Sequence, residues 1–315
     1  MPVCQYAPSS DNYMDFIVHY SARSVSAFYD LAQTQCVNFI SREFAVVYAL
    51  KDRIAPLSIS QYSYSSIPKL FGLLDTTVLE SSGILPVFDQ PALQADGTGV
   101  IIGIVDTGVD YTNPLFRNPD NTSRIIGIWD QSIESEEMPR EISGFQPFYG
   151  TTYTHEQINQ AFQAEDPYTV VPSRDTDGHG TFMAGVAAGN RIDRPVPFSG
   201  AAPNAALAVV KLKPAKQYLR DFFLVHTDDP GFQENDIMAA VSYLLSLASQ
   251  YQRPLVIYLG VGTNQGSHEG SGPLSLQLES LNSYAGFAVP AGAGNEMGYH
   301  HHFRGNLLPD QEFEE

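Results

Sequence analysis

Val100 to Val105 is an unbroken apolar run that ends on Asp106. A strand with no apolar–polar alternation is buried on both faces, and such strands belong mostly to parallel sheets covered by helices. The chain beyond it supports that reading. Arg124 to Trp129, Ala205 to Leu212, Leu255 to Val261 and Gly286 to Ala291 are strand-like. Between them, Gly180 to Gly189, Asp236 to Gln250 and Leu274 to Tyr284 are helix-like, and Ile237, Ala240, Val241, Leu244, Leu245 and Ala248 form an apolar stripe on the second. This alternation predicts an α/β fold with a doubly wound, mostly parallel sheet. In such sheets ligands gather at the carboxyl ends of the strands, which is where Asp106 falls.

The first part of the chain reads differently. Asp15 to Tyr20 and Phe44 to Leu50 predict strands, Leu57 to Ser60 a further short one, and Val25, Phe28, Leu31 and Ala32 fall at helical spacing. That predicts a small α+β module. A looser stretch with Pro86 and Pro91, ending in Gly97-Thr98-Gly99, marks the boundary, so the expected units are residues 1–95 and 96–315.

Hydrophobic content of 43% with 17% charged residues argues for a globular protein. The net charge of −18 divides into −3 over residues 1–95 and −15 over residues 96–315. An acidic surface repels phosphate, which disfavours nucleic acid and anionic membrane as partners. There is no run of eighteen or more apolar residues, hence no predicted transmembrane helix, and Met1 to Tyr6 lacks the basic and apolar regions of a secretory signal. The compartment stays open, with cytoplasmic as one expectation. Two cysteines, Cys4 and Cys36, are too few for a disulfide framework, and Cys36, set among apolar residues, reads as a small core residue.

Three motifs carry chemistry. Asp106 opens Asp106-Thr107-Gly108, where Gly108 permits a sharp turn. Its carboxylate could accept a hydrogen bond from a His ring or merely cap the turn. Aspartic proteases share this short string but need two copies, and no second one occurs. His179 lies in Asp175-Thr176-Asp177-Gly178-His179-Gly180-Thr181-Phe182-Met183-Ala184-Gly185. Asp177 is placed to cap the following helix, leaving His179 in its first turn, where the helix dipole disfavours the imidazolium and keeps the ring a base. Asn295, after the Gly-rich turn Ala291 to Gly294, could aim its amide at a developing oxyanion; a turn asparagine in left-handed conformation is the plain alternative. Gly260-Val261-Gly262 leaves a buried strand and could offer a backbone edge to an extended peptide. His300-His301-His302 has no carboxylate or cysteine at ligand spacing, so no metal site and no cofactor is predicted. Asn121-Thr122-Ser123 reads as an ordinary turn.

Asp106, His179 and Asn295, in that order, resemble the subtilisin-like serine proteases (subtilases), whose nucleophile sits in a Gly-Thr-Ser-x-Ala motif. No such motif occurs in these 315 residues. A closer resemblance, to the clostridial Csp-type subtilases, rests on Ile67 to Gly72, Val210 to Ala215, Asn235 to Met238, Gly262 to Gly266 and Gly294-Asn295-Glu296. The resemblance implies a serine-type endopeptidase acting on peptides or proteins, with Asp106 and His179 in its triad and Asn295 at the oxyanion. It implies that further sheet strands and a Ser-bearing helix follow Glu315, leaving the sheet C-terminally incomplete. It also implies that the N-terminal module is a prodomain, with Pro91 to Gln94 in the active cleft and self-cleavage near Gln94–Ala95. A non-catalytic peptide-binding module is the alternative expectation.

Overall fold

The computed structural model describes residues 6–20, 36–73, 95–135, 138–192, 198–281, 284–290 and 292. In chain order the elements are β1 (Tyr13–His19), β2 (Val37–Phe39), β3 (Phe44–Leu50), β4 (Leu70–Leu73), β5 (Ile101–Asp106), β6 (Ile125–Asp130), β7 (Thr151–Thr154), α1 (His155–Ala161), α2 (His179–Ala188), β8 (Ala206–Lys211), α3 (Gln217–Phe222), β9 (Phe232–Gln233), α4 (Glu234–Tyr251), β10 (Leu255–Leu259), β11 (Val261–Gly262), α5 (Pro273–Leu281) and β12 (Phe287–Ala288).

The main sheet has six strands in the order β12-β10-β5-β8-β6-β7. All neighbours are parallel except β6 and β7, so the mostly parallel α/β expectation holds. Every residue of β5 is buried, as an apolar run without alternation demands. Its side chains divide between the two faces. Ile101 and Val105 join a core with Ile237, Val241 and Leu244 of α4, whereas Ile102 and Ile104 join one with Ala184 and Ala188 of α2. Two helices on opposite faces thus make β5 the centre of the molecule and carry Asp106 to the rim.

The N-terminal strands form a separate antiparallel sheet, β1-β3-β2, with Tyr13 opposite Leu50 and His19 opposite Phe44. Its inward side chains Ile17, Phe44, Val46 and Tyr48 share one apolar cluster with α4. Polar groups cross the same junction. Asp15, fully buried, accepts hydrogen bonds from Lys216 Nζ (2.5 Å), Gln233 Nε2 (3.1 Å) and Asn235 Nδ2 (3.1 Å). Beside it Lys213 Nζ stands 2.6 Å from Asp236, an ion pair off the usual hydrogen-bond direction, and Tyr149 donates to that carboxylate at 2.6 Å. Burying charge this deeply is tolerated only when each group has a partner.

Two sequence expectations fail here. Leu57 to Ser60 is not a strand: the Ser58 carbonyl accepts the amides of Gln61 and Tyr62, which closes a turn. Cys36 is buried but disulfide-bonded, so it is not a plain core thiol; pairing depends on how the fold brings sulfurs together, which spacing does not reveal. The predicted helix around Val25 to Ala32 lies outside the described residues.

Candidate active site

Asp106 ends β5 and His179 begins α2, and the two side chains meet. His179 Nδ1 lies 2.8 Å from Asp106 Oδ1 and 3.0 Å from Oδ2. The carboxylate is fully buried, while the ring keeps 12% of its surface exposed. Burial pushes the Asp106 carboxyl above its ordinary range, opposed by the His179 ring and the Thr107 amide, which donates at 2.6 Å. A carboxylate so placed would hold the His ring in one tautomer, with its proton on Nδ1, and stabilise the ring when charged. The close approach has a steric requirement. A Cβ on Gly180 would stand 2.1 Å from the Gly108 carbonyl and 3.1 Å from Asp106, so only glycine lets the helix seat against the turn.

A residue the motif reading passed over secures this arrangement. Asp175 Oδ1 accepts from the Thr107 hydroxyl (2.9 Å) and the Gly178 amide (2.9 Å), and Oδ2 from the Thr181 amide (2.8 Å) and hydroxyl (2.6 Å). Thr107 Oγ1 in turn accepts the Gly180 amide at 3.0 Å. Burial pushes the Asp175 carboxyl up, but these donors outweigh it and hold it below its ordinary value. The predicted cap, Asp177, accepts only a long contact from the His179 amide at 3.3 Å, and the cap position is Gly178, which has no side chain to offer. The signal was present as an acidic residue four before the His, flanked by threonines at 107 and 181.

Residues 97–307 match the family model described as the subtilase family, Peptidase_S8. The chain belongs to the subtilase family. Subtilisin-like protease SBT1.9 of Arabidopsis thaliana is 31% identical over 157 residues, 46% of this chain and 19% of that protein. Subtilisin-like protease SBT2.2 of the same plant is 30% identical over 131 residues, 36% of this chain and 15% of that one. Among solved structures, the Clostridium perfringens CspB protease aligns with a TM-score of 0.52 at 25% identity, over 67% of this chain and 39% of its own. The chain therefore spans well under half the length of these relatives.

As a subtilase, the chain places Gly260 against the dyad. Its amide donates to the Val105 carbonyl at 3.0 Å, and a Cβ there would lie 1.6 Å from Asp106 Oδ2. Val261 and Gly262 then form β11, so the three residues expected to bind substrate line up as an edge that starts at the carboxylate. Asn295 and His300 to His302 lie outside the described residues, as do Pro91 to Gln94. Among the described residues no cluster of His, Cys, Asp and Glu is arranged to hold a metal ion, and no helix is long and apolar enough to cross a membrane.

Proposed function

We propose that the whole protein to which this chain belongs is a serine endopeptidase. The observation that carries the proposal is the His179 Nδ1 contact with buried Asp106 at the end of the central strand. In this reading a serine outside these 315 residues attacks a peptide carbonyl. His179 takes the serine proton on Nε2 and passes it to the leaving amine, while Asp106 holds Nδ1–H and stabilises the imidazolium. The Asn295 amide donates to the oxyanion, and water then releases the acyl-enzyme. Residues 1–95 act as a prodomain that the enzyme removes from itself. The 315-residue chain alone is expected to hydrolyse no peptide, because it lacks the Gly-Thr-Ser-x-Ala nucleophile motif.

A second reading is a non-catalytic module that binds peptides in the groove. An in-frame coding sequence past Glu315 decides between them. If it carries Gly-Thr-Ser-x-Ala, the longer protein should cleave a peptide library and lose that activity on His179→Ala or replacement of the serine. If the longer protein with that motif cleaves nothing, or if His179→Ala cleaves as fast as the unmodified protein, the proteolytic reading fails.

A further inference from the structure

Three neighbouring strands of the main sheet end on charged residues that stand opposite one another. Asp106 on β5 pairs in register with Lys211 on β8, and Lys211 with Asp130 on β6. Side chains at one register level of a sheet share a face. Here it is the α2 face, because Ile104, Val209 and Ile128, each two residues earlier, all pack in the cluster that holds Ala184 and Ala188. The rim that carries the dyad thus reads minus, plus, minus.

The lysine does not sit midway. Its ammonium lies 3.7 Å from the fully buried Asp130 carboxylate and donates to the Arg174 carbonyl at 2.7 Å. Its stem runs past the turn after Asp106, where a Cβ on Gly108 (φ +111°) would stand 3.1 Å from Lys211 Cδ and 3.5 Å from the Arg174 carbonyl oxygen. Asp130 is itself held firmly. Its Oδ2 accepts the buried Ser173 hydroxyl (2.7 Å), and its Oδ1 accepts the Ser132 amide (2.9 Å) and hydroxyl (2.6 Å). Three consecutive residues are therefore tied to three successive strand ends: Ser173 to β6, Arg174 to β8 and Asp175 to the turn after β5. The middle tie joins its neighbours, since Lys211 grips the Arg174 carbonyl and faces the carboxylate that Ser173 bonds. His179 follows four residues after Asp175. A segment fixed at three successive points cannot slide along the rim, so α2 begins at one place and its first ring falls on Asp106.

We propose that Lys211 is a positioning residue of the dyad: with Asp130 and Ser173 it fixes residues 173–175 on the sheet rim and so sets the His179 ring on Asp106. Its effect on geometry stands without the proteolytic reading; its effect on turnover rests on that reading.

The tautomer of the His179 ring reads its position directly. In the 315-residue chain, the ring-nitrogen resonances of neutral His179, assigned by His179→Gln, should show the proton on Nδ1, where Asp106 holds it. Lys211→Met should give a mixture of both tautomers, and Lys211→Arg, which keeps the charge and the donors, should restore the single form. Lys213→Met breaks another buried lysine–aspartate pair, one whose aspartate lies on α4, and should lower stability without moving the tautomer. A single tautomer retained in folded Lys211→Met, an Nε2–H ring in the unmodified chain, or an equal response to Lys213→Met overturns the proposal. If Lys211→Met does not fold, Ser173→Ala takes its place: a mixture supports the proposal and an unchanged single form overturns it. In the longer protein, Lys211→Met should lower turnover by about tenfold to a hundredfold with KM changed by less than about threefold, the effect of roughly an ångström of misplacement. Lys211→Arg should recover most of that loss. Unchanged turnover in Lys211→Met overturns the proposal. A longer protein that cleaves no peptide at all rejects the proteolytic reading and leaves the tautomer to judge Lys211.

Discussion

Two of the carboxylates that this molecule buries completely, Asp15 and Asp106, are buried for opposite ends. At the junction between the N-terminal sheet and the α/β layer, Asp15 accepts from a lysine and two amides, with a second lysine–aspartate pair alongside. At the rim, Asp106 faces a His ring that is still partly exposed, and burial leaves its carboxyl above its ordinary range. The joint also holds charge at a cost, since burial pushes the Asp236 carboxyl up and the Lys216 ammonium down, but its partners are ions and amides sealed from solvent. On the proteolytic reading, a buried carboxylate beside a partly exposed imidazole can instead help to move a proton. The contrast teaches that depth of burial does not by itself mark function; what marks it is the kind of partner.

The contrast can be broken experimentally, starting with the largest effect. In the longer protein, His179→Ala should lower turnover by about 10⁶, a magnitude known from subtilisin, and Asp106→Asn by about 10⁴, as in triads generally. Neither should cost much stability, and chemical denaturation of the same variants checks that. The junction should behave in reverse. Lys216→Ala leaves Asp15 buried without its cation and should cost about 3–5 kcal/mol in urea unfolding. Replacing Asp15 and Lys216 together by apolar residues should cost less than that single change. If Lys216→Ala proved neutral, the idea of a charge-locked joint would have to go.

Asp175 sits between the two extremes, and smaller effects sharpen its role. Asp175→Asn should cost about 1–2 kcal/mol, reduced by its partial exposure, since several charge-assisted hydrogen bonds become neutral. Its pH signature has a definite sign. The folded carboxyl titrates below its unfolded value, so its contribution is present above that unfolded value and is lost as pH falls through the folded one. Asp106 has the opposite sign: raised in the fold, its contribution is present below the ordinary carboxylate value and is lost as pH rises through the raised one. Unfolding free energies measured between about pH 3 and 7 should therefore lose acid sensitivity in Asp175→Asn. In Asp106→Asn they should instead improve toward neutral pH. Identical profiles for the two variants would erase the distinction.

How much of this was legible beforehand follows from the length of each signal. β5 and α4 were visible because many residues agree, six in an unbroken buried run and an apolar stripe along an 18-residue helix. Asp106 and His179 were visible because each closes or opens such an element. β4 was not, since four residues with a glycine among them show no period, and the strand exists only because β9 and β11 bracket it. Asp175 was hidden for a related reason. Its partners Thr107 and Thr181 come from either side of it in sequence and converge only after β5 and α2 have packed. Pairing of Cys36 likewise depends on tertiary closure that no local pattern encodes.

Gly260 sets a limit on redesign. Because a single added carbon would collide with Asp106 Oδ2, sequence has no latitude at this position beside the dyad. On the proteolytic reading, new preferences for peptides would have to be written at neighbouring positions, and any library that randomises 260 would spend that diversity on proteins whose carboxylate has been displaced.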